Sequence, residues 1–145
     1  MPVQQITPPE AHHLLGKGYR YIDVRTEAEF AAGHPIGAVN IPVALLDPRT
    51  RQMALNPDFV RVVEAHFPKA TQIILGCQSG GRSQQAAELL THAGYTAVAN
   101  MQGGFGGARD AVGRELVAGW TQSRLPVCSD CDVQDAYAAL RSTAA

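Results

Sequence analysis

Several things are scarce in this chain, and each scarcity narrows what it does. Cysteine occurs three times in 145 residues, an odd number that argues against a secreted framework stapled by disulfides. Charged residues make up only 17%, and their near balance leaves a formal net charge of −1. That supplies no basic field for nucleic acid or for an anionic membrane surface. No hydrophobic run approaches the length of a membrane span. The opening Met1-Pro2-Val3-Gln4-Gln5-Ile6 has neither the basic start nor the apolar stretch of a secretory leader. Internal repeats and low-complexity segments are missing too. The expectation is a single cytoplasmic domain with reduced thiols and with no nucleic-acid or membrane partner. Hydrophobic residues, at 46%, suffice for a buried core without staples.

What is present is well punctuated. Thr7-Pro8-Pro9-Glu10 is a capping box with proline at the first helical position, predicting a short helix through Leu15. Thr26-Glu27-Ala28-Glu29 is a second capping box, with Gly33 as its stop. A third helix is predicted from Asn56-Pro57-Asp58, with Phe59, Val60, Val62 and Val63 on its buried face. Tyr21-Ile22-Asp23-Val24, Val39-Asn40-Ile41, Ile73-Ile74-Leu75 and Thr96-Ala97-Val98 read as short strands buried on both faces. Strands alternating with helices imply an α/β fold with a mostly parallel central sheet flanked by helices.

The chemistry is concentrated in Cys77-Gln78-Ser79-Gly80-Gly81-Arg82-Ser83. This segment follows the apolar run ending at Gly76 and precedes a helical pattern from about Gln84, with Ala86, Ala87, Leu90 and Ala93 at helical spacing and Gly94 as its stop. A strand, a glycine-containing loop and a helix start bring successive N–H groups onto one sulfur, and the helix dipole adds positive charge there. Both favour thiolate over thiol, which makes Cys77 the candidate nucleophile. Arg82 adds a permanent cation whose planar fork suits an oxyanion.

Four separated stretches resemble one family, the rhodanese-like sulfurtransferases. They are Asp23-Val24-Arg25 with Glu27 and Phe30, Gly33-His34 through Ile41-Pro42, the Cys77 to Ser83 loop, and Asn100 to Gly104 with Trp120 and Leu125-Pro126-Val127. The resemblance implies a three-layer domain over residues 5–127 and a tail over 128–145. It also implies that Cys77 takes sulfane sulfur from thiosulfate or a persulfide donor and passes it to a thiol or cyanide, with a protein acceptor also open. By position, Gln78, Ser79, Gly80, Gly81, Arg82 and Ser83 form the substrate-binding loop, and Arg82 meets the sulfonate of the donor. Asp23 and Arg25 read as a structural pair at the end of a buried strand, and His34 as a hydrogen-bonding loop residue. No metal and no cofactor is implied.

Three departures from the family pattern stand out. Gln78 follows the cysteine where many members carry arginine. Residues 106–119 form an insertion expected to be an exposed loop, from which Arg109 or Arg114 is a candidate to restore a charge near the site. The tail contains Cys128-Ser129-Asp130-Cys131, then Val133, Ala136, Tyr137 and Leu140 at helical spacing, a helix that Ser129 or Asp130 would cap with Cys131 in its first turn. That cysteine pair has three readings: a redox pair resolving a persulfide on Cys77, half of a zinc site, or two ordinary thiols.

Two rival functions remain at this stage. Cysteine-dependent phosphatases and arsenate reductases also use a thiolate in an anion-cradling loop, but with arginine at C-x5-R. Here the spacing is C-x4-R, a tighter ring suited to a single sulfur. The other rival is a sulfur-carrier or regulatory module without turnover of its own.

Overall fold

The computed structural model describes residues 3–129 and 133–144. Five strands form the central sheet: β1 (Gln4–Ile6), β2 (Arg20–Asp23), β4 (Ala38–Asn40), β7 (Ile73–Gly76) and β8 (Val98–Met101). Their order is β1-β8-β7-β2-β4 and every pairing is parallel. The remaining strands lie outside it in two-stranded ribbons: β3 (His34–Pro35) with β11 (Val127–Cys128), β5 (Ala44–Leu46) with β6 (Met53–Leu55), and β9 (Ala108–Arg109) with β10 (Glu115–Val117).

The sheet is buried on both faces because its residues alternate between two apolar layers. Ile22, Ile73, Leu75 and Val98 face one side, against Phe59, Val62 and Val63 of α3 (Phe59–His66) and Ala86, Ala87 and Leu90 of α4 (Gly81–His92). Tyr21, Ile74, Ala99 and Met101 face the other, against Ala11 of α1 (Pro8–Leu15), Phe30 of α2 (Glu27–Ala32) and Trp120. Cys77 continues the alternation of β7 onto the α4 side. The result is the three-layer α/β arrangement expected from the sequence.

Both capping boxes form, with reciprocal bonds between Thr7 and Glu10 and between Thr26 and Glu29. Several boundaries differ from expectation, two of them in α4 and β8. The helix after the loop starts at Gly81 rather than near Gln84, because Gly80 at φ 116° turns the chain into it directly. The last sheet strand starts at Val98, not Thr96. Residues 106–119 are a hairpin rather than an open loop: Asp110 Oδ1 accepts from the N–H groups of Val112 and Arg114 and closes the turn between β9 and β10.

The tail also departs from expectation. Antiparallel pairing of β11 with β3 holds the chain extended through Cys128, and a 3₁₀ turn (Val133–Asp135) precedes α5 (Tyr137–Thr143). The helix therefore starts at Tyr137, with Ala136 rather than Ser129 as its N-cap and, among the described residues, no side-chain capping bond. Asp130 and Cys131 lie outside the described residues. Helix α5 packs on α3 and β4, placing Tyr137 and Leu140 in the same core layer as Phe59 and Ile22. Asn56 Nδ2 donates to the Tyr137 hydroxyl at 3.0 Å and to the Pro42 carbonyl at 2.9 Å.

Because Tyr137 is only 1% exposed, Tyr137→Ala leaves a cavity in the main core and an unanswered Asn56. Equilibrium urea unfolding should show a loss of about 3–5 kcal/mol, the scale of an aromatic-to-alanine core truncation. A loss below about 1 kcal/mol would mean that the tail is an appendage.

Candidate active site

Cys77 follows the last residue of β7 and is 2% exposed. Among the described residues, its Sγ is met by the Gly80 N–H at 3.0 Å and the Ser83 hydroxyl at 3.3 Å. The loop achieves this by turning its carbonyls away. The Cys77 carbonyl accepts from Phe105 N at 2.7 Å, and the Gln78 carbonyl from Gly106 N at 2.9 Å. Segment 103–106 therefore staples the loop from outside, while the Gly80 N–H faces the sulfur inside it. Gly104, at φ 57°, is required there, since a Cβ would stand 2.6 Å from the Gln78 carbonyl carbon. At Gly106 a Cβ would collide with the Gln78 side-chain amide.

A second ring of contacts fixes the staple. Arg25 and Asp23, 3% and 1% exposed, form an ion pair at 2.7 Å. Arg25 Nη2 also donates to the Gly33 carbonyl at 2.6 Å, Nη1 reaches Gln78 Oε1 at 3.4 Å, and the guanidinium lies 4.4 Å from the centre of the Phe105 ring. The pair thus holds β2, the α2 terminus and the loop together. His34 Nδ1–H donates to the Phe30 carbonyl at 2.8 Å and its ring stacks on Phe30, which makes it a loop brace. Asn40 Nδ2 ties down the carbonyls of Asp23 and Arg25.

Arg82 is placed differently from the sequence expectation. Its Nη1 and Nη2 bind Glu29 Oε1 and Oε2 at 2.8 and 3.0 Å, a bidentate clamp between α4 and α2. The fork expected to meet a donor's sulfonate is engaged by a carboxylate that sequence reading treated only as a helix cap. The clamp holds the Glu29 carboxyl down at about 2 against an ordinary 4.5, with the Thr26 N–H assisting and burial opposing. The same bond raises Arg82. Burial pushes the Tyr21 phenol well up, so it stays protonated beneath Gly76, where a Cβ would meet its hydroxyl.

The loop borders a cleft of about 380 Å³ between Ser79, Gly80, Gln84 and Asn100 on one side and Ala108 and Val117 of the inserted hairpin on the other. Among the described residues, no charged side chain lines it. Arg109 and Arg114 are exposed, and Arg109 Nη1 donates to the Gly113 carbonyl of its own turn, so neither supplies a charge to the cleft. A larger cavity, about 720 Å³, lies between α1 and Trp120 and is lined by none of the loop residues. Among the described residues no cluster of His, Cys, Asp and Glu is placed to hold a metal ion. Cys77 is a free thiol, whereas Cys128 is disulfide-bonded, contrary to the expectation that all thiols are reduced.

The Glu29 clamp makes a pH prediction. A carboxyl depressed in the folded state contributes stability above its unfolded value near 4.5, and this is lost as pH falls toward about 2. Glu29 and Arg82 side chains are about one-third exposed, so solvent screening reduces the contribution to on the order of 1–2 kcal/mol. Urea unfolding at stepped pH should therefore show Glu29→Gln less stable than wild type at pH 7, with the two curves converging below about pH 3. A constant offset at every pH would assign the loss to the capping bond instead.

The comparison with known proteins agrees with this geometry. A rhodanese-like domain model matches residues 7–111. Thiosulfate sulfurtransferase 16, chloroplastic, of Arabidopsis thaliana is 48% identical over 95 residues, covering 66% of this chain and 78% of that protein. Thiosulfate sulfurtransferase GlpE of Haemophilus influenzae is 30% identical, covering 88% of this chain and 96% of that one. Two further curated relatives are longer, and the chain spans 57% and 56% of their length. Among solved structures, that of Rv0390 from M. tuberculosis superposes with a TM-score of 0.73 at 31% identity, over 89% of this chain and 99% of that one. With the loop, the parallel sheet and the matched span in agreement, the chain belongs to the family of rhodanese-like domains.

Proposed function

We propose that this protein is a sulfurtransferase in which Cys77 carries the sulfur. The carrying observation is a buried thiol whose Sγ meets the Gly80 N–H at 3.0 Å at the start of α4. The thiolate attacks the outer sulfur of thiosulfate. A Cys77 S–S bond forms, the donor's S–S bond breaks, and sulfite leaves with the bonding pair. The persulfide carries one negative charge on its outer sulfur. Cyanide or a thiolate attacks that sulfur and leaves as thiocyanate or a new persulfide, returning the Cys77 thiolate. The N–H groups of Gly81, Arg82 and Ser83 have no intrahelical acceptor, being the first of α4, and the loop offers them to the moving charge. Thiol, cyanide or a protein thiol as acceptor, and a cytoplasmic setting, belong to this proposal.

The phosphatase alternative fits less well. A phosphoryl group needs a free arginine fork over its equatorial oxygens, and here both Nη groups of Arg82 are bound to Glu29. A carrier module without turnover has the same site chemistry and differs only in whether discharge is rapid.

Incubation with thiosulfate should add one sulfur atom to the intact wild-type mass and none to Cys77→Ser, whose hydroxyl stays protonated at neutral pH. Sulfur uptake by the serine variant would remove Cys77 as nucleophile. Hydrolysis of an aryl phosphate as fast as cyanide sulfuration would replace the whole reading with a phosphatase. Arg82→Ala should slow loading from thiosulfate and from a neutral alkyl persulfide by similar factors, because the guanidinium braces the loop through Glu29. A loss confined to thiosulfate would return Arg82 to direct contact with the sulfonate.

A further inference from the structure

Behind the sulfur runs a polar chain that the reaction just described leaves unused. Ser83 is fully buried in the first turn of α4, and Asn100 is 4% exposed in β8. The Ser83 hydroxyl has one proton and three acceptors: Asn100 Oδ1 at 2.5 Å, the Gly80 carbonyl at 3.2 Å and Cys77 Sγ at 3.3 Å. Asn100 is held from its other end, where Nδ2 donates to Gln5 Oε1 at 2.9 Å and Gln5 Nε2 donates to Gln84 Oε1 at 2.7 Å. The carboxamide oxygen is therefore a fixed acceptor aimed at a hydroxyl that also touches the nucleophile.

We propose that Asn100 is a positioning residue for Cys77, acting through the Ser83 hydroxyl. The inference rests on Cys77 cycling between thiolate and persulfide. In the thiolate the negative charge sits on Sγ and draws the Ser83 proton. When the new S–S bond forms and sulfite departs, the charge moves to the outer sulfur. Sγ is then a neutral divalent sulfur, a weak acceptor, and the hydroxyl turns to Asn100. Asn100 thus gives the loaded state the hydrogen bond that the free state gives to sulfur. A buried hydroxyl is satisfied in both, with no other group moving.

The test is the loading equilibrium, read as the persulfide fraction by intact mass at a fixed ratio of thiosulfate to sulfite. Asn100→Leu and Asn100→Val remove the nearer acceptor, leaving the longer contact to the Gly80 carbonyl, and should lower the loading constant about five- to tenfold, the value of one buried hydrogen bond. In a Ser83→Ala background the same substitutions should change it by less than about twofold, since the intermediary is gone. Asn100→Asp keeps the acceptor oxygen and should load at least as fully as wild type, which serves even if the apolar variants do not fold. Undiminished loading in Asn100→Val, an equal loss with and without Ser83, or a deficit in Asn100→Asp would each overturn the inference. Wild type that takes up no sulfur would sink both this inference and the sulfurtransferase reading. Normal wild-type loading with any of the other failures sinks this inference alone.

Discussion

Two carbonyl groups turned outward set everything else at the site. Had the carbonyls of Cys77 and Gln78 faced the interior, the sulfur would meet lone pairs rather than amide hydrogens, and a negative charge there would be repelled. The N–H groups of Phe105 and Gly106 pull them out, at 2.7 and 2.9 Å. That contact is possible only because segment 103–106 approaches the loop backbone more closely than a Cβ allows, as Gly104 shows. Gly104 and Gly106 are therefore part of the anion site through the carbonyls they hold rather than through the sulfur itself.

The staple must itself be held, and the molecule does this with charges that cancel. Arg25 is almost wholly buried, a costly place for a guanidinium, and it is stable there because Asp23, the Gly33 carbonyl, Gln78 and the Phe105 face surround it. Each of those contacts fixes a different element: the end of β2, the end of α2, the loop, and the segment that staples the loop. Glu29 likewise serves twice, closing the capping box of α2 and clamping Arg82 at the start of α4. Removing either pair would loosen the loop from a distance.

How much of this the sequence declares depends on separation along the chain. The capping boxes at Thr7 and Thr26, the glycine-containing loop after Cys77 and the apolar run of β7 are local, and all are legible. Glu29 was legible as a cap, but its partner Arg82 lies 53 residues away, and nothing in either neighbourhood records the other. Asn100 and Ser83, 17 residues apart on different elements, meet only because β8 lies beside β7 and α4 covers both. Strand β1 left little signal, since an edge strand with one buried residue in three has no period to read. The inserted hairpin was masked by glycines that look like loop punctuation but in part form its turn, as at Gly113.

Placing the charges outside the cleft has a chemical consequence. Asp23 with Arg25 and Glu29 with Arg82 each sum to nearly zero, and the cleft beside the loop is lined by uncharged residues, polar ones such as Ser79, Gln84 and Asn100 beside Ala108 and Val117. What faces the sulfur is mainly a set of dipoles: an amide hydrogen, a hydroxyl and a helix terminus. Dipoles fixed by backbone geometry need no reorganisation when charge moves by one S–S bond length, whereas a single cation would favour one position of that charge over the other. A site that must stabilise a thiolate and then a persulfide with comparable strength is better made from oriented amides than from a free arginine. Gln78 beside the cysteine, instead of a second cation, is consistent with that demand: its side chain binds Arg25 and adds no charge of its own.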